Sequence, residues 1–548
     1  MPRHTLSCLL VAALLVGAAA AADLGEAPRL GASPRDVATA HRLPPLREGR
    51  DPVLAAELGA LQVGARARAL GLTPDSASHA WSDANATLQG ARTRLAAPPP
   101  RTVHTFAGTT ASRLNAVLAD RSIGAVRVTA PVLRIDVPLT IERSDLRLDL
   151  GGTELRSLDD GPRFLVRVAG ASRVALTGGV FAAGRWGVLV ERARDVTLAD
   201  ARFQDLREAG ITVTASTGTV VARSRFAGLG GAAVLLHGRT ERTAVLDNEI
   251  VANRGASNWA AGIVLTDRQA AVASDPATLL QADRYWAREQ PIRDRLQAPS
   301  RNVVAQNRIA ANASSGLYVD GAIENVIVDN VIEGNSKEGV CLDYGATANV
   351  LASNAIRLNG KRWGKSDEEL KLDFVGGDGR LADGTPPAKT PGISLDNALY
   401  NVVYANRIDR NFGGGVKAVR ATWFNLIGLN TVTDNNEGAS ERFHFFGIEL
   451  GAAQADAASD ELDFAPSRGN LVFGNMVQGG HHAGIFLGAG STQNDVFDNT
   501  ILGARAWAIE QPLPQANATL NNLTNLPSRH IDAGLDAKLL ELSKGRAE

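Results

Sequence analysis

"ENVIVDNVIEGNSKEGVCLD", residues 324–343, reads as a strand, a turn, a second strand, a polar corner and a third strand that ends on a carboxylate. Apolar residues alternate with polar ones over short runs, the period-two signature of half-buried strands bounded by turn residues. The same pattern recurs as "RNVVAQNRIAAN" from 301, "ANVLASNAIRLN" from 348, "YNVVYANRIDRN" from 400, "FNLIGLNTVTDN" from 424, "GNLVFGNMVQGG" from 469 and "QNDVFDNTILGA" from 493. Each copy is followed by a further short strand. These are GLYV from 316, GVCL from 339, GISL from 392, GVKAV from 415, GIEL from 447, GIFL from 484 and AWAIE from 506. Weaker copies begin at 164 (FLVRV), 187 (GVLVE), 210 (GITVT), 233 (AVLLH) and 262 (GIVLTD), and the first four lie 23 residues apart.

A fixed period of this size demands a repeat architecture, in which each unit buries its apolar face only against its neighbours. Three short strands per unit and no helical segment exclude leucine-rich and helical solenoids. One asparagine recurs before the second strand of each unit: Asn307, Asn330, Asn354, Asn406, Asn430, Asn475 and Asn499. Stacked in register, these side chains would form an amide hydrogen-bond ladder.

The pattern over residues 104–510 resembles the right-handed parallel β-helix of the pectin-lyase-like superfamily. The resemblance implies an all-β solenoid of about 23 residues per coil, closed at its open end by a helix. "TASRLNAVLAD", residues 110–120, has the apolar spacing for that helix. The fold does not decide activity, since it carries lyases, hydrolases, epimerases and binding proteins.

The remaining composition narrows the setting. Residues 1–22 have the basic start, apolar run and small-residue exit of a signal peptide cleaved near Ala21 or Ala22, so export to the periplasm or beyond the cell is expected. Removal of that segment leaves Cys341 as the single cysteine and no internal disulfide. A formal net charge of −1 over 548 residues gives no nucleic-acid footprint, and no later run is long enough to span a bilayer. Residues 23–100 read as an Ala/Arg-rich helical segment, 101–514 as the β-helix and 515–548 as a cap or tail.

Insertions point to a site. Extra residues fall at 266–300, 360–391, 436–446 and 452–468, all bordering the glycine-led strands, so they would wall a groove along one sheet. Within those strands the first and third residues after glycine are apolar and point inward. The second and fourth therefore point outward. At the fourth place successive coils carry Asp320, Asp343 and Asp396. At the second they carry Tyr318, Cys341, Ser394, Lys417, Glu449 and Phe486. Stacked rungs lie about 4.8 Å apart, so like charges would repel along the sheet, and such a column calls for a reason.

A solvated strand end, a calcium site at Asp320, Asp343 and Asp396, and paired acid/base chemistry on a glycosidic bond each supply one. In the third reading Asp343, Asp396, Lys417 and Glu449 carry the chemistry. Tyr318, Asp320, Arg420, His444, Trp363 and Trp286 contact substrate, a polysaccharide whose sugars are acidic if Lys417 and Arg420 meet a carboxylate. Cys341 has no base beside it and reads as a small filler. The order Asp, Asp, Asp, Lys resembles polygalacturonases. Their Asn-Thr-Asp, paired Asp-Asp, Gly-His-Gly and Arg-Ile-Lys motifs are absent, however, so no role is carried over. The Asp-Pro-His-Asp signature of mannuronan epimerases is absent as well. Hydrolysis is the leading expectation, with a uronate lyase or an epimerase and a non-catalytic sugar-binding protein as alternatives.

Overall fold

The computed structural model describes residues 76–98, 102–157, 161–255, 257–266, 298–360, 390–419, 422–436, 445–451, 467–488, 491–511, 517–526 and 529–530. The walls expected at 266–300, 360–391, 436–446 and 452–468 lie almost wholly outside the described residues, as do residues 30–75. Within the expected C-terminal cap or tail, 515–548, the strands Ala518–Leu520, Leu523–Thr524 and Arg529–His530 continue the coil stack past 514, and the rest lies almost wholly outside the described residues.

The described residues form a right-handed parallel β-helix, about fourteen turns of about 24 residues with few helices. One coil shows the plan. Val303–Ala305, Arg308–Ala310 and Leu317–Asp320 are its three strands, and each pairs in parallel with its counterpart one coil on, Val326–Val328, Val331–Glu333 and Val340–Asp343. We call the sheets built from these strand types the first, second and third. The first two are joined through the long strands Leu146–Ser157 and Val174–Ala182. The third holds fourteen strands among the described residues.

Alternation decides what each sheet buries. Val304, Ile309, Leu317 and Val319 point into a single core that runs the length of the coil stack. Helix α2 (Ala111–Ala119) buries Ala111, Leu114 and Leu118 against the same core, which covers the open end as expected. Helix α1 (Ser76–Leu95) lies elsewhere, on the outer face of the first sheet. Its Ala80, Trp81, Ala84, Leu88 and Ala91 pack on outward residues such as Ala244, Leu246, Val303 and Val326. Arg94 meets Asp195 at 2.7 Å and Asp83 reaches Arg301 at 3.5 Å, so the helix crosses successive coils from its C-terminal end to its middle.

The expected asparagine ladder is present and longer than the repeat count implied. It begins at Asn248, and each amide nitrogen donates to the next side-chain oxygen, from Asn248→Asn307 (2.9 Å) through Asn354→Asn406 (3.0 Å) to Asn499→Asn522 (2.9 Å). Two further ladders run beside it. One passes through Asn302, Asn325, Asn349, Asn401, Asn425, Asn470, Asn494 and Asn517. The other passes through Asn312, Asn335, Asn359, Asn411 and Asn435.

Candidate functional site on the outer face of the third sheet

The register of the third sheet places two outward columns side by side. The first aligns Leu189, Thr212, Leu235, Val264, Tyr318, Cys341, Ser394, Lys417, Glu449, Phe486 and Glu510. The second aligns Glu191, Thr214, His237, Thr266, Asp320 and Asp343, and Asp396 follows Leu395, the partner of Leu342. Asp320, Asp343 and Asp396 therefore stand on successive rungs of one face.

The first column changes character along its length. Leu235, Val264, Tyr318 and Cys341 are buried in an apolar cluster that sits outside the coil, together with Trp186 and Trp259. Trp259, carried by the short 3-10 turn Asn258–Ala260, meets the Tyr318 ring edge-on with centroids 5.7 Å apart. From Ser394 onward the column is polar or half-exposed. Lys417 Nζ lies 3.7 Å from Glu449 Oε1 on the next rung. Beyond them Phe486 stacks on Phe446 at 4.3 Å, and His482 Nε2 stands 3.8 Å from Glu510 Oε2.

The three aspartates are not equivalent. Asp320 is 1% exposed and accepts a hydrogen bond from Thr266 Oγ1 at 3.0 Å. Asp343 is half-buried and accepts from the Tyr318 hydroxyl at 3.0 Å and from the Tyr344 amide at 2.8 Å. Asp396 is half-buried too. Tyr318 is buried under the Trp259 cluster, and Asp320 is buried beside Thr266. Tyr318 orients the carboxylate of Asp343, one rung on. Asp320, Asp343 and Asp396 do not form a metal-binding group, and among the described residues no set of three or more His, Cys, Asp or Glu side chains does. The calcium reading of the column therefore gains no support from its geometry.

The field of the column is felt at Cys341. Burial pushes its thiol well up from the ordinary range, and Glu338, Asp343 and Asp396 push it further. A thiol so disfavoured as thiolate is a poor nucleophile, in keeping with its reading as a filler. Arg420, His444, Trp363 and Trp286 lie outside the described residues.

Sequence reasoning passed over His237 and Thr266, which hold the column position of Asp320 on the two preceding coils. The signal was present, since His237 closes "AVLLH" at the place where Asp320 closes "GLYVD". His237 is buried, with Nδ1 3.3 Å from Thr214 Oγ1. His482 and Glu510 were legible less easily, because Glu510 faces His482 only once "AWAIE" is set in register with "GIFL".

Comparison with protein-family models matches residues 295–364 to the right handed beta helix region. Comparison with curated protein sequences gives no match. Among solved structures the chain is similar to the A-module of a mannuronan C-5 epimerase from Azotobacter vinelandii, at 14% identity and TM-score 0.45, covering 74% of this chain and 91% of that one. It is similar to DFA-IIIase from Arthrobacter chlorophenolicus A6, at 15% identity and TM-score 0.43, covering 74% and 95%. It is similar also to the catalytic domain of a GH87 alpha-1,3-glucanase, at 9% identity and TM-score 0.42, covering 79% and 70%.

Proposed function

We propose that this is an exported carbohydrate-active enzyme that cleaves glycosidic bonds of a polysaccharide lying along the outer face of the third sheet. The observation that carries the reading is the pair Asp343 and Asp396, half-buried carboxylates one rung apart, one of them already held by two donors. Carboxyl groups separated by about 5 Å suit a retaining mechanism, in which one attacks the anomeric carbon and the other protonates the leaving oxygen. Asp343, oriented as an acceptor by Tyr318 and Tyr344, takes the nucleophile or base role. Asp396 takes the acid role. Lys417 is ion-paired with Glu449, the posture of a cation that stabilises negative charge, and this weighs against its serving as the proton-abstracting base of a lyase.

The test follows two signals while the mature protein is incubated with neutral and uronate polysaccharides. New reducing ends without the ultraviolet absorbance of unsaturated uronates mark hydrolysis, and both signals together mark a lyase. Asp343→Asn and Asp396→Asn should each lower turnover by roughly a hundredfold or more, with binding retained. Full turnover in both variants would sink the assignment. Binding without turnover on every substrate would make the protein a sugar-binding module.

A further inference from the structure

The outer face of the third sheet is closed on one side of the carboxylate pair and open on the other. On the three rungs before Asp343 both outward columns are buried. Leu235, Val264 and Tyr318 hold these places in the first column, and His237, Thr266 and Asp320 in the second. From Ser394 onward the first column is partly exposed over four successive rungs, at Ser394, Lys417, Glu449 and Phe486. At about 4.8 Å per rung these four span about 14 Å, enough for a short run of sugar units. Asp343 and Asp396, both half-buried, stand at the boundary.

The closed side is a built barrier. Leu235, Val264, Tyr318 and Cys341 pack with Trp186 and Trp259 into one buried apolar cluster outside the coil. Trp259 comes from the turn Asn258–Ala260, and Lys337, on the coil that carries Asp343, donates to Asn258 Oδ1 at 2.8 Å. That bond ties the turn to the coil of Asp343 across the coil between them. The barrier also touches the carboxylate pair directly, because the Tyr318 hydroxyl donates to Asp343 Oδ2 at 3.0 Å. No sugar ring fits between two groups in hydrogen-bond contact. Beyond them, three rungs of buried side chains offer a ring no surface to lie on.

Resting on the cleavage proposed above, we infer that the protein acts on chain ends. The end of a glycan meets the Trp259–Tyr318 barrier, and the bond next to that end lies at Asp343 and Asp396. The rest of the chain runs over Ser394, Lys417, Glu449 and Phe486 toward the later coils. Cleavage inside a chain needs room on both sides of the scissile bond, and here one side is filled by protein. Each event therefore releases a short terminal piece, a mono- or disaccharide. A polymer with both ends blocked is not a substrate, because no free end can enter.

The experiment takes the full mature chain and whichever polysaccharide it cleaves, offered with free ends and with both ends chemically blocked. Product sizes are read by chromatography from the first turnovers, and viscosity is followed alongside. Mono- or disaccharides alone, a slow fall in viscosity and loss of turnover on the blocked polymer are expected. Trp259→Ala lowers the barrier, so longer products should appear, whereas Trp259→Phe keeps a ring there and should restore the short ones. Oligosaccharides of mixed length from the outset, with the blocked polymer cut as fast as the open one, would overturn the inference and leave the cleavage reading standing. Unchanged products from folded Trp259→Ala would overturn the place of Trp259 in the barrier. No turnover of any neutral or uronate polysaccharide with free ends would overturn the cleavage reading and this inference together.

Discussion

The early coils and the later coils fill the same cross-section with opposite chemistry. In the early coils Phe181, Phe203 and Phe226 stack one above the other, with centroids 4.5 and 4.7 Å apart and planes within 14° and 7°. At the corners of those coils single serines do the polar work. Ser224, for example, donates to the Ala222 carbonyl and accepts from the Ala201 amide. From Asn248 onward asparagine takes over, and the corners become three continuous amide ladders. An aromatic stack supplies volume and dispersion but accepts several registers. An amide ladder satisfies buried backbone groups and each neighbouring amide at once, so a slip of one residue would orphan a whole row. The half of the molecule with the long insertions is the half whose register is fixed by hydrogen bonds.

The sharpest way to break that comparison is to put a charge into a ladder. Asn406 donates to the Leu351 carbonyl and to Asn430, and accepts from both the amide and the side chain of Asn354. Asn406→Asp keeps the shape, removes both donors and buries an anion, so a loss on the order of 5 kcal/mol is expected. Protonating the new carboxyl restores one donor, so the loss should shrink as pH falls. Denaturant unfolding at pH 7 and pH 4 reads both effects, and a variant as stable as the parent at pH 7 would mean that the ladder adds little. On the other side of the comparison, Phe203→Ala should cost about 3–5 kcal/mol through lost contacts and the cavity left between its two neighbours. Phe203→Leu should recover much of that, with no pH dependence.

The third ladder contains its own departure, and it sets the next prediction. Where a sixth asparagine would continue the row, the Asn435 backbone N–H donates instead to His481 Nε2 at 2.9 Å. His481 is fully buried, and its Nδ1 has no hydrogen-bond partner among the described residues. Burial lowers its pKa to about 4, with Asp434 opposing and Arg505 adding to the shift. The folded value lies below the unfolded one, so the neutral ring's contribution is complete above about pH 6.5 and is lost as pH falls toward 4. The full difference is about 3 kcal/mol, since each pKa unit is about 1.4 kcal/mol. His481→Asn, which restores an amide to the row, should flatten unfolding free energy between pH 7 and 4. Equal slopes in parent and variant would clear His481 of the effect.

Much of this was legible in the repeat. The three-strand unit, the helix at Ala111–Ala119, the outward columns and the ladder through Asn307 follow from alternation and period, which are local properties of the chain. The two other ladders could have been read from the same words, because "RNVVAQNRIAAN" carries asparagine at its second, seventh and twelfth places. What the period could not show is which outward residues are covered. Tyr318 stands in the expected column yet is buried, because Trp259, carried on a short turn, packs against its ring. That contact depends on a turn between strands, and no spacing rule places it. The pairing of Lys417 with Glu449 was closer to hand, since register alone brings the two side chains onto adjacent rungs.

The smallest expected effect comes from a third kind of row, on the outside of the second sheet. Glu333 accepts from Arg308 at 2.9 Å and from Arg357 at 2.7 Å, and Glu249 meets Arg308 from the coil before. This row has the same rung-to-rung regularity as the asparagine ladders, but its arginine side chains are about half exposed, 51% for Arg308 and 42% for Arg357. Water competes for every one of its groups, so regularity alone should confer little. Glu333→Gln is expected to cost less than about 1 kcal/mol, and the cost should vanish in high salt. A loss comparable to that of Asn406→Asp would mean that stacking order, and not burial, is what makes a ladder matter. The contrast between two rows of equal regularity and unequal exposure therefore isolates burial as the variable.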